Sequence, residues 1–569
     1  MRIKLLALLL LSFLTACAQT SVEETPEENE TEEATPVESE AERLARLQAE
    51  YEANEDIRKT ELGSLYVPLP SPNDNVVLEN EVVKALYVTF NIAGLGFKEE
   101  DVLTYSEYIT KTHNGEAFDE TRLESVNRLE EILGIVDATE VNSLVIDVKD
   151  DQGLVGWPSD VQMVNDIGAN WYVPWKDYQV LLDYLESKDV YTIARIVAFK
   201  DPYFAQNNPE HAIQLSDGSG VYTDRSGFSW VNPFDETVWD YNIAIAQEAA
   251  YRGFDEIQYD YVRFPDNAAK YNPITIFPNR NDRAKDEAIE DFLMATRVAL
   301  EPYKVNLAAD VFGVITYSWD DKPEDIGQTW LKIAPNVDVI CPMVYPSHYG
   351  TGFYGFSAPD AHPYEVVKQA LIEGIEKNAA IENSAIIRPW LQGFTANWIK
   401  GYIEYDEDAM QAQIKATYDV GLEEYIIWMS SNKYLPQTFY TENFSRYTAV
   451  DGIDQLGRTP EEALHKYLDG QVKNRLSFAF LLTPLAERDA DWDNYLGAQE
   501  TKEIKLKSYE EVYLSSDENG QIFALVHAKY QRGEDVIEVN EAKYLISLEK
   551  GVYKISEAGL ELPESTPTN

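Results

Sequence analysis

Histidine and cysteine are scarce in this sequence. Its 569 residues hold six histidines and two cysteines, Cys17 and Cys341, with no CxxC or HExxH spacing. Zinc chemistry is disfavoured, because such sites draw several His or Cys ligands from fixed spacings. A metal-dependent deacetylase or phosphodiesterase is disfavoured for the same reason, and neither a metal nor a cofactor is expected. Basic residues are also few: 47 Lys+Arg stand against 99 Asp+Glu, a formal net charge of −52. A field of that sign repels nucleic acid and anionic lipid head groups, so neither is an expected partner. Beyond the N-terminus, no run reaches the roughly 18 uncharged apolar residues of a membrane span. No GxGxxG loop follows the first strand-like run, which leaves a doubly wound open sheet as the runner-up fold.

What is present begins with an export signal. Arg2 and Lys4 precede an apolar run from Leu5 to Leu14 that is too short to cross a bilayer. It ends in Leu14-Thr15-Ala16-Cys17, which resembles a bacterial lipobox. Residues 1–17 are therefore expected to be a lipoprotein signal, with Cys17 lipidated and the protein anchored to the membrane outside the cytoplasm; a plain secretory signal is the alternative. Residues 18–60 are expected to form an acidic, disordered tether. Nine of the eighteen positions from Glu23 to Glu40 are Glu, and self-repulsion keeps such a stretch extended. Within that segment, 41–60 has helical potential.

The composition, 44% hydrophobic and 12% aromatic, can fill a large core. Over residues 80–445, eight β-rich runs alternate with helical stretches: Ala85–Asn91, Asn142–Val148, Val190–Val197, Asp255–Tyr261, Val305–Val311, Val337–Met343, Ser384–Leu391 and Glu424–Ser430. The pattern predicts an α/β fold, a (β/α)8 TIM barrel. Residues 457–560 predict a small C-terminal α+β domain. There Thr459-Pro460-Glu461-Glu462 is a capping box opening a helix, and antiparallel strands follow. It resembles cystatin-like or nuclear-transport-factor-like accessory domains.

The predicted strand ends are unusually polar. Alternation along the fourth run puts Glu256, Gln258 and Asp260 on one face and Ile257 and Tyr259 on the other. The same logic points Asp310, Asp147, Lys149, Arg195, Arg388 and Gln392 toward the barrel interior or its mouth. Charges there cost several kcal/mol, on the order of 1–5, unless paired or used.

Several segments resemble a bacterial glycoside-hydrolase barrel family first catalogued as a domain of unknown function. They are Asn142–Asp151, Ala194–Pro202, Trp230–Pro233, Gly253–Pro265, Ala309–Gly313, Pro342–Pro346 and Arg388–Gln392. The resemblance covers roughly residues 80–445 and implies hydrolysis of O-glycosidic bonds in an extracellular or cell-envelope polysaccharide. Glycosidic cleavage needs two carboxyl groups across the scissile bond, and many barrel glycosidases carry them on strands four and five. Asp260 is the expected nucleophile and Asp310 the expected acid/base, with Glu256 in reserve. The competing reading of Asp260 is an ion pair with Arg195 or Arg263; that of Asp310 is a capped turn before Gly313.

Asp147, Lys149, Arg195 and Asp201 are candidates for binding sugar hydroxyls or tuning the acids, or else for a structural salt network. Tyr345, Gln392 and Arg263 are further candidates for substrate contact. Trp157, Trp230, Trp319, Trp390 and Trp428 offer flat faces for sugar rings, or else core packing. Cys341 is expected to be a small buried residue. Asp147, Asp150 and Asp151 could hold Ca2+, but read better as a solvated turn before Gly153. A non-catalytic carbohydrate-binding lipoprotein on a degenerate barrel is the alternative to an enzyme.

Overall fold

The computed structural model describes residues 39–68 and 82–440 (except 97, 318–323 and 382–383). C-terminal to these it describes 452–454, 458–473, 476, 479, 482–484, 498–499, 501–517, 520–533, 535–549 and 552–558. Cys17 and its lipobox, residues 18–38, Trp319 and the tail from Pro563 lie outside the described residues.

Eight parallel strands close on themselves. They are β1 Lys84–Val88, β2 Ser143–Lys149, β3 Tyr191–Val197, β4 Glu256–Asp260, β5 Asn306–Phe312, β6 Val339–Met343, β7 in two pieces (Ile386–Ile387 and Trp390–Gln392), and β8 Tyr425–Trp428. Each pairs with the next, and β8 pairs in parallel with β1 through Lys84 and Tyr425. All eight coincide with the predicted runs, and the fold is a (β/α)8 TIM barrel with an added C-terminal sheet domain. Strand β7 is split at Arg388-Pro389 because proline has no N–H for the ladder.

Alternation sorts each strand into two cores. Leu144, Ile146, Ala194, Ile257, Tyr259, Leu307 and Ala309 face outward, into the apolar layer shared with the surrounding helices. Ala85, Val145, Ile193, Ala308, Cys341, Trp390 and Ile426 face inward. Cys341 is a free, buried thiol. The floor of the barrel is polar: Arg388 is fully buried and pairs with Glu256 at 2.6 Å and Glu424 at 2.7 Å.

The expected disordered tether departs from the structure in its second half. Helices α1 Glu40–Ala53 and α2 Glu55–Leu62 occupy it. A capping box between Ser39 and Glu42 starts α1, satisfying N–H groups that the first turn leaves free. Arg43 then pairs with Glu290 and Asp291 on the barrel, and Tyr51 donates to the Ala299 carbonyl. The acidic run therefore ends where positive and aromatic side chains find partners.

The C-terminal unit is helix α3 Pro460–Val472, opened by the predicted Thr459/Glu462 capping box, and an antiparallel meander. Its strands are β9 Ile504–Ser516, β10 Ile522–Arg532, β11 Asp535–Glu549 and β12 Val552–Glu557. Its core is continuous with the barrel's Ala358, Ile403, Tyr405 and Ala409. Arg458 forks both oxygens of Asp408 at 2.9 Å, and Lys466 joins Asp408 and Glu407.

Replacing Arg388 with leucine would leave Glu256 and Glu424 buried without a counter-charge. The expected loss is about 3–5 kcal/mol of folding stability, measured by urea unfolding of the purified protein. An unchanged unfolding midpoint would show that the floor ion pairs contribute nothing.

Candidate active site

The C-terminal ends of the strands open into one cleft of about 1140 Å³. Asp147, Arg195, Asp260, Arg263, Asp310, Tyr345 and Trp428, all singled out in the sequence, line it. Its centre is a chain of charges. Arg195 donates through Nη1 to Asp147 at 2.6 Å and through Nη2 to Asp260. Asp147 also accepts the Tyr87 hydroxyl at 2.5 Å. Burial raises the Asp147 carboxyl, and Arg195 and Tyr87 work against that rise. The ion pair expected as the competing reading of Asp260 is therefore present, with Arg195 as its partner. Arg263 pairs with Asp266 instead, at 3.0 Å.

The backbone turns sharply after β4. Tyr261 has φ 49°, in the left-handed region that costs a non-glycine residue about 1–2 kcal/mol. In that conformation its N–H donates to Asp260 Oδ1 at 2.5 Å. Asp260 is thereby fixed from both sides, by the guanidinium and by its own strand end.

Asp310, on the next strand, has the opposite surroundings. Gln258 Nε2 and Trp390 Nε1 both donate to Oδ1, at 2.7 and 2.6 Å, while the buried Oδ2 has no partner among the described residues. Burial pushes this carboxyl well above the usual range, and the negative charge of Asp260 pushes it further. With Oδ1 taken by two donors, Oδ2 is the oxygen left to carry the proton when this carboxyl is neutral. Gly313 is where the chain leaves β5: a Cβ there would lie 2.4 Å from the Met343 carbonyl oxygen, so the turn after Asp310 packs tightly against the end of β6.

Five candidates lie elsewhere. Lys149 and Asp201 form a fully buried ion pair at 2.6 Å, outside the cleft. A register shift between Asp147 and Lys149 breaks the alternation that predicted both to point inward. Lys149 instead runs to Asn242 on the helix Glu236–Tyr251, and Asp201 caps the helix Pro202–Asn207 through the Phe204 N–H. Glu256 sits four residues below Asp260, about 13 Å deeper, and is held by Arg388. Gln392 is buried and ties Asp360, the Phe394 carbonyl and the Ser347 N–H beneath the cleft. Trp230 is buried, donates to Asp224 and lines a smaller adjoining pocket. Of the other tryptophans, Trp157 is core and Trp390 serves Asp310.

Two lining residues, Tyr87 and Trp398, were not singled out from the sequence, and a third, Asp150, was read there only as part of a solvated turn. Tyr87 stands at the end of β1, and its ring centroid lies 4.1 Å from that of Trp428. Trp398 is 69% exposed and stacks near-parallel on Phe394 at the rim. Asp150, which accepts from the Gln152 and Leu154 N–H groups, is raised to about 6 by burial. Their positions near or after the C-terminal ends of strands were the available signal. No group of three or more His, Cys, Asp or Glu is placed to hold a metal among the described residues, and none of the described helices is long and apolar enough to cross a membrane.

A protein family described as "Putative glycosyl hydrolase domain" matches residues 119–434, over half of the chain. The chain belongs to this family. The glycosyl hydrolase match begins after β1, although β1 closes the barrel and supplies Tyr87. Similar solved structures include a hypothetical protein from Ruminiclostridium thermocellum ATCC 27405, at 31% identity over 40% of this chain and 97% of that one, with a TM-score of 0.30. The PgaB (BpsB) glycoside hydrolase domain from Bordetella bronchiseptica shows 12% identity over 63% and 99%, with a TM-score of 0.41. TtGalA, an alpha-galactosidase from Thermus thermophilus, shows 10% identity over 68% and 64%, with a TM-score of 0.36. No curated protein matches the chain.

The raised Asp310 carboxyl has a consequence for stability. Below the ordinary carboxyl range, near pH 4, folded and unfolded states are both protonated. As pH rises from there toward the raised value, the unfolded chain ionises while the folded one keeps its proton, so stability falls. Asp310→Asn is expected to flatten that decline in thermal midpoint across the same pH window. An Asn variant with the wild-type slope would place the buried proton on another group.

Proposed function

We propose that this protein hydrolyses O-glycosidic bonds in an extracellular or cell-envelope polysaccharide, with Asp260 and Asp310 as the working pair. The observation that carries the reading is the unequal state of two carboxyl groups on neighbouring strands of one cleft. Asp260 is held beside a cation and accepts two donors, whereas Asp310 is kept neutral by burial and by Asp260. Such a split assigns roles. Asp310 gives the Oδ2 proton to the leaving oxygen, and Asp260 attacks the anomeric carbon to form a glycosyl ester. Water then cleaves the ester while Asp310 takes its proton back. Arg195 steadies Asp260 before attack, and Tyr345, Trp428 and the Trp398 face offer surface for sugar rings.

The lipobox-like Leu14-Thr15-Ala16-Cys17 supports a location outside the cytoplasm, with the body held to the membrane by lipid on Cys17. Metabolic labelling with a clickable fatty acid should mark the wild type and not Cys17→Ser. An unlabelled wild type removes the anchor from the proposal.

The catalytic assignment is tested on purified protein with a panel of polysaccharides and aryl glycosides, by release of reducing ends or aglycone. On the substrate that turns over, Asp310→Asn and Asp260→Asn should each lower kcat by about 10²–10⁴-fold. Glycan binding without turnover would favour the carbohydrate-binding alternative, in which the Arg195–Asp260 pair is simply locked. Turnover unchanged in Asp260→Asn would eliminate the proposed nucleophile.

A further inference from the structure

Beside the cleft, and sharing Tyr261, Arg263 and Asp266 with it, lies a second pocket of about 200 Å³. Its lining runs against the character of the chain. In a protein with 47 basic residues against 99 acidic ones, this pocket gathers Lys200, Arg225, Arg263 and Lys270. Only two carboxylates, Asp224 and Asp266, share the lining.

Those carboxylates, even counted with Asp151 beside Lys200, leave the four cations one charge in excess. Asp224 is consumed by its own loop: Oδ1 accepts the Ser226 and Phe228 N–H groups, and Oδ2 accepts Trp230 Nε1–H. Asp266 is half exposed and pairs with Arg263 alone. Lys200 and Arg263 are mostly buried, 8% and 6% exposed, and are held on aromatic faces. Lys200 Nζ lies 4.3 Å from the Phe228 centroid and 4.7 Å from that of Tyr261. The Arg263 guanidinium lies 5.1 Å from both Trp230 and Tyr261. Lys200 has its carboxylate partner, Asp151, on the cleft side at 2.9 Å. Arg225 and Lys270 are exposed and form no ion pair with any described residue. The pocket thus has two cations fixed in its wall and two more at its edge, with a net positive balance.

We infer that this pocket receives the anionic substituent of a sugar unit lying in the adjoining cleft, so that the substrate is an acidic glycan bearing carboxylate, sulfate or phosphate groups. The inference rests on the cleft accepting a glycan, and it names the class. The −52 charge of the whole chain does not oppose it at contact distance, because at 0.1 M salt a field is screened over about 10 Å while the four cations sit around the bound group. Guanidinium and ammonium donors to such an oxyanion form charge-assisted hydrogen bonds, about twice as strong as neutral ones.

The test uses the full protein carrying Asp310→Asn, so that nothing is consumed, and four probes: glucose, glucuronate, glucose 6-sulfate and glucose 6-phosphate. Affinities are read by ligand-observed NMR titration. At least one charged sugar is expected to bind about tenfold more tightly than glucose, and the choice among the three identifies the anion. The double substitution Arg225→Gln/Lys270→Gln, both on the exposed edge, is expected to cut that preference about threefold or more while leaving glucose affinity and the unfolding midpoint unchanged. Equal binding of all four probes, binding of none, or a preference undiminished by the double substitution overturns the inference. Because these affinities need no turnover, the outcome is separable from the hydrolysis assays. A protein that prefers charged sugars but cleaves nothing sinks only the hydrolase reading, and one that cleaves neutral glycans without charge preference sinks only this one.

Discussion

Everything at the mouth of the barrel depends on one buried guanidinium. Arg195 stands among Asp147, Asp260 and Asp310 in a space nearly free of solvent, and it satisfies two of the three directly. Without a central cation, three acidic groups could not share that volume in ionised form. With a single cation they are placed unequally: Asp147 and Asp260 pair with it directly, while burial and the charge of Asp260 push the carboxyl of Asp310 upward. The electrostatics of the cleft are therefore a matter of counting charges in a closed ring, and the proposed division of roles rests on which acid is left over.

The architecture was readable because parallel strands buried on both faces leave continuous β-rich runs between helical periods. Each of the eight runs survives as a strand within a few residues. Polar alternation on β4 and β5 also predicted correctly which side chains face inward, since both strands are regular up to their ends. It failed on β2, where one irregularity in the pairing sends Lys149 the other way, out to the helix layer. No local pattern in Ile-Asp-Val-Lys-Asp announces that shift. The region just after residue 38 was assigned to the tether, yet the helical potential read over 41–60 is met by two helices. Composition emphasised its glutamates, whereas the outcome turned on a cap at Ser39 and a distant pair of acids that welcome Arg43.

Burial explains why some candidates became scaffold. Lys149 with Asp201, and Glu256 with Arg388, are complete pairs with little left to offer a ligand. Gln392 spends its amide on Asp360, the Phe394 carbonyl and the Ser347 N–H. The residues that do face the cavity come from the last three positions of a strand or from the loop after it, where the ladder ends and the side chain is no longer packed by neighbours on both sides. Tyr87, Tyr261 and Trp398 share this placement, and spatial proximity rather than sequence spacing brings them together.

One loop joins the two halves of the molecule in a manner that bears on how either could evolve. After β7 the chain runs from Phe394 and Trp398 at the cleft rim to Ile403 and Tyr405, which are embedded in the apolar core of the C-terminal sheet. The appended unit therefore acts as a brace for one wall of the cavity, not as a passenger on a linker. Sequence drift in the sheet's inner face is constrained by the shape of a surface many residues away, and transplanting the barrel without its companion would strip the backing from an aromatic ledge.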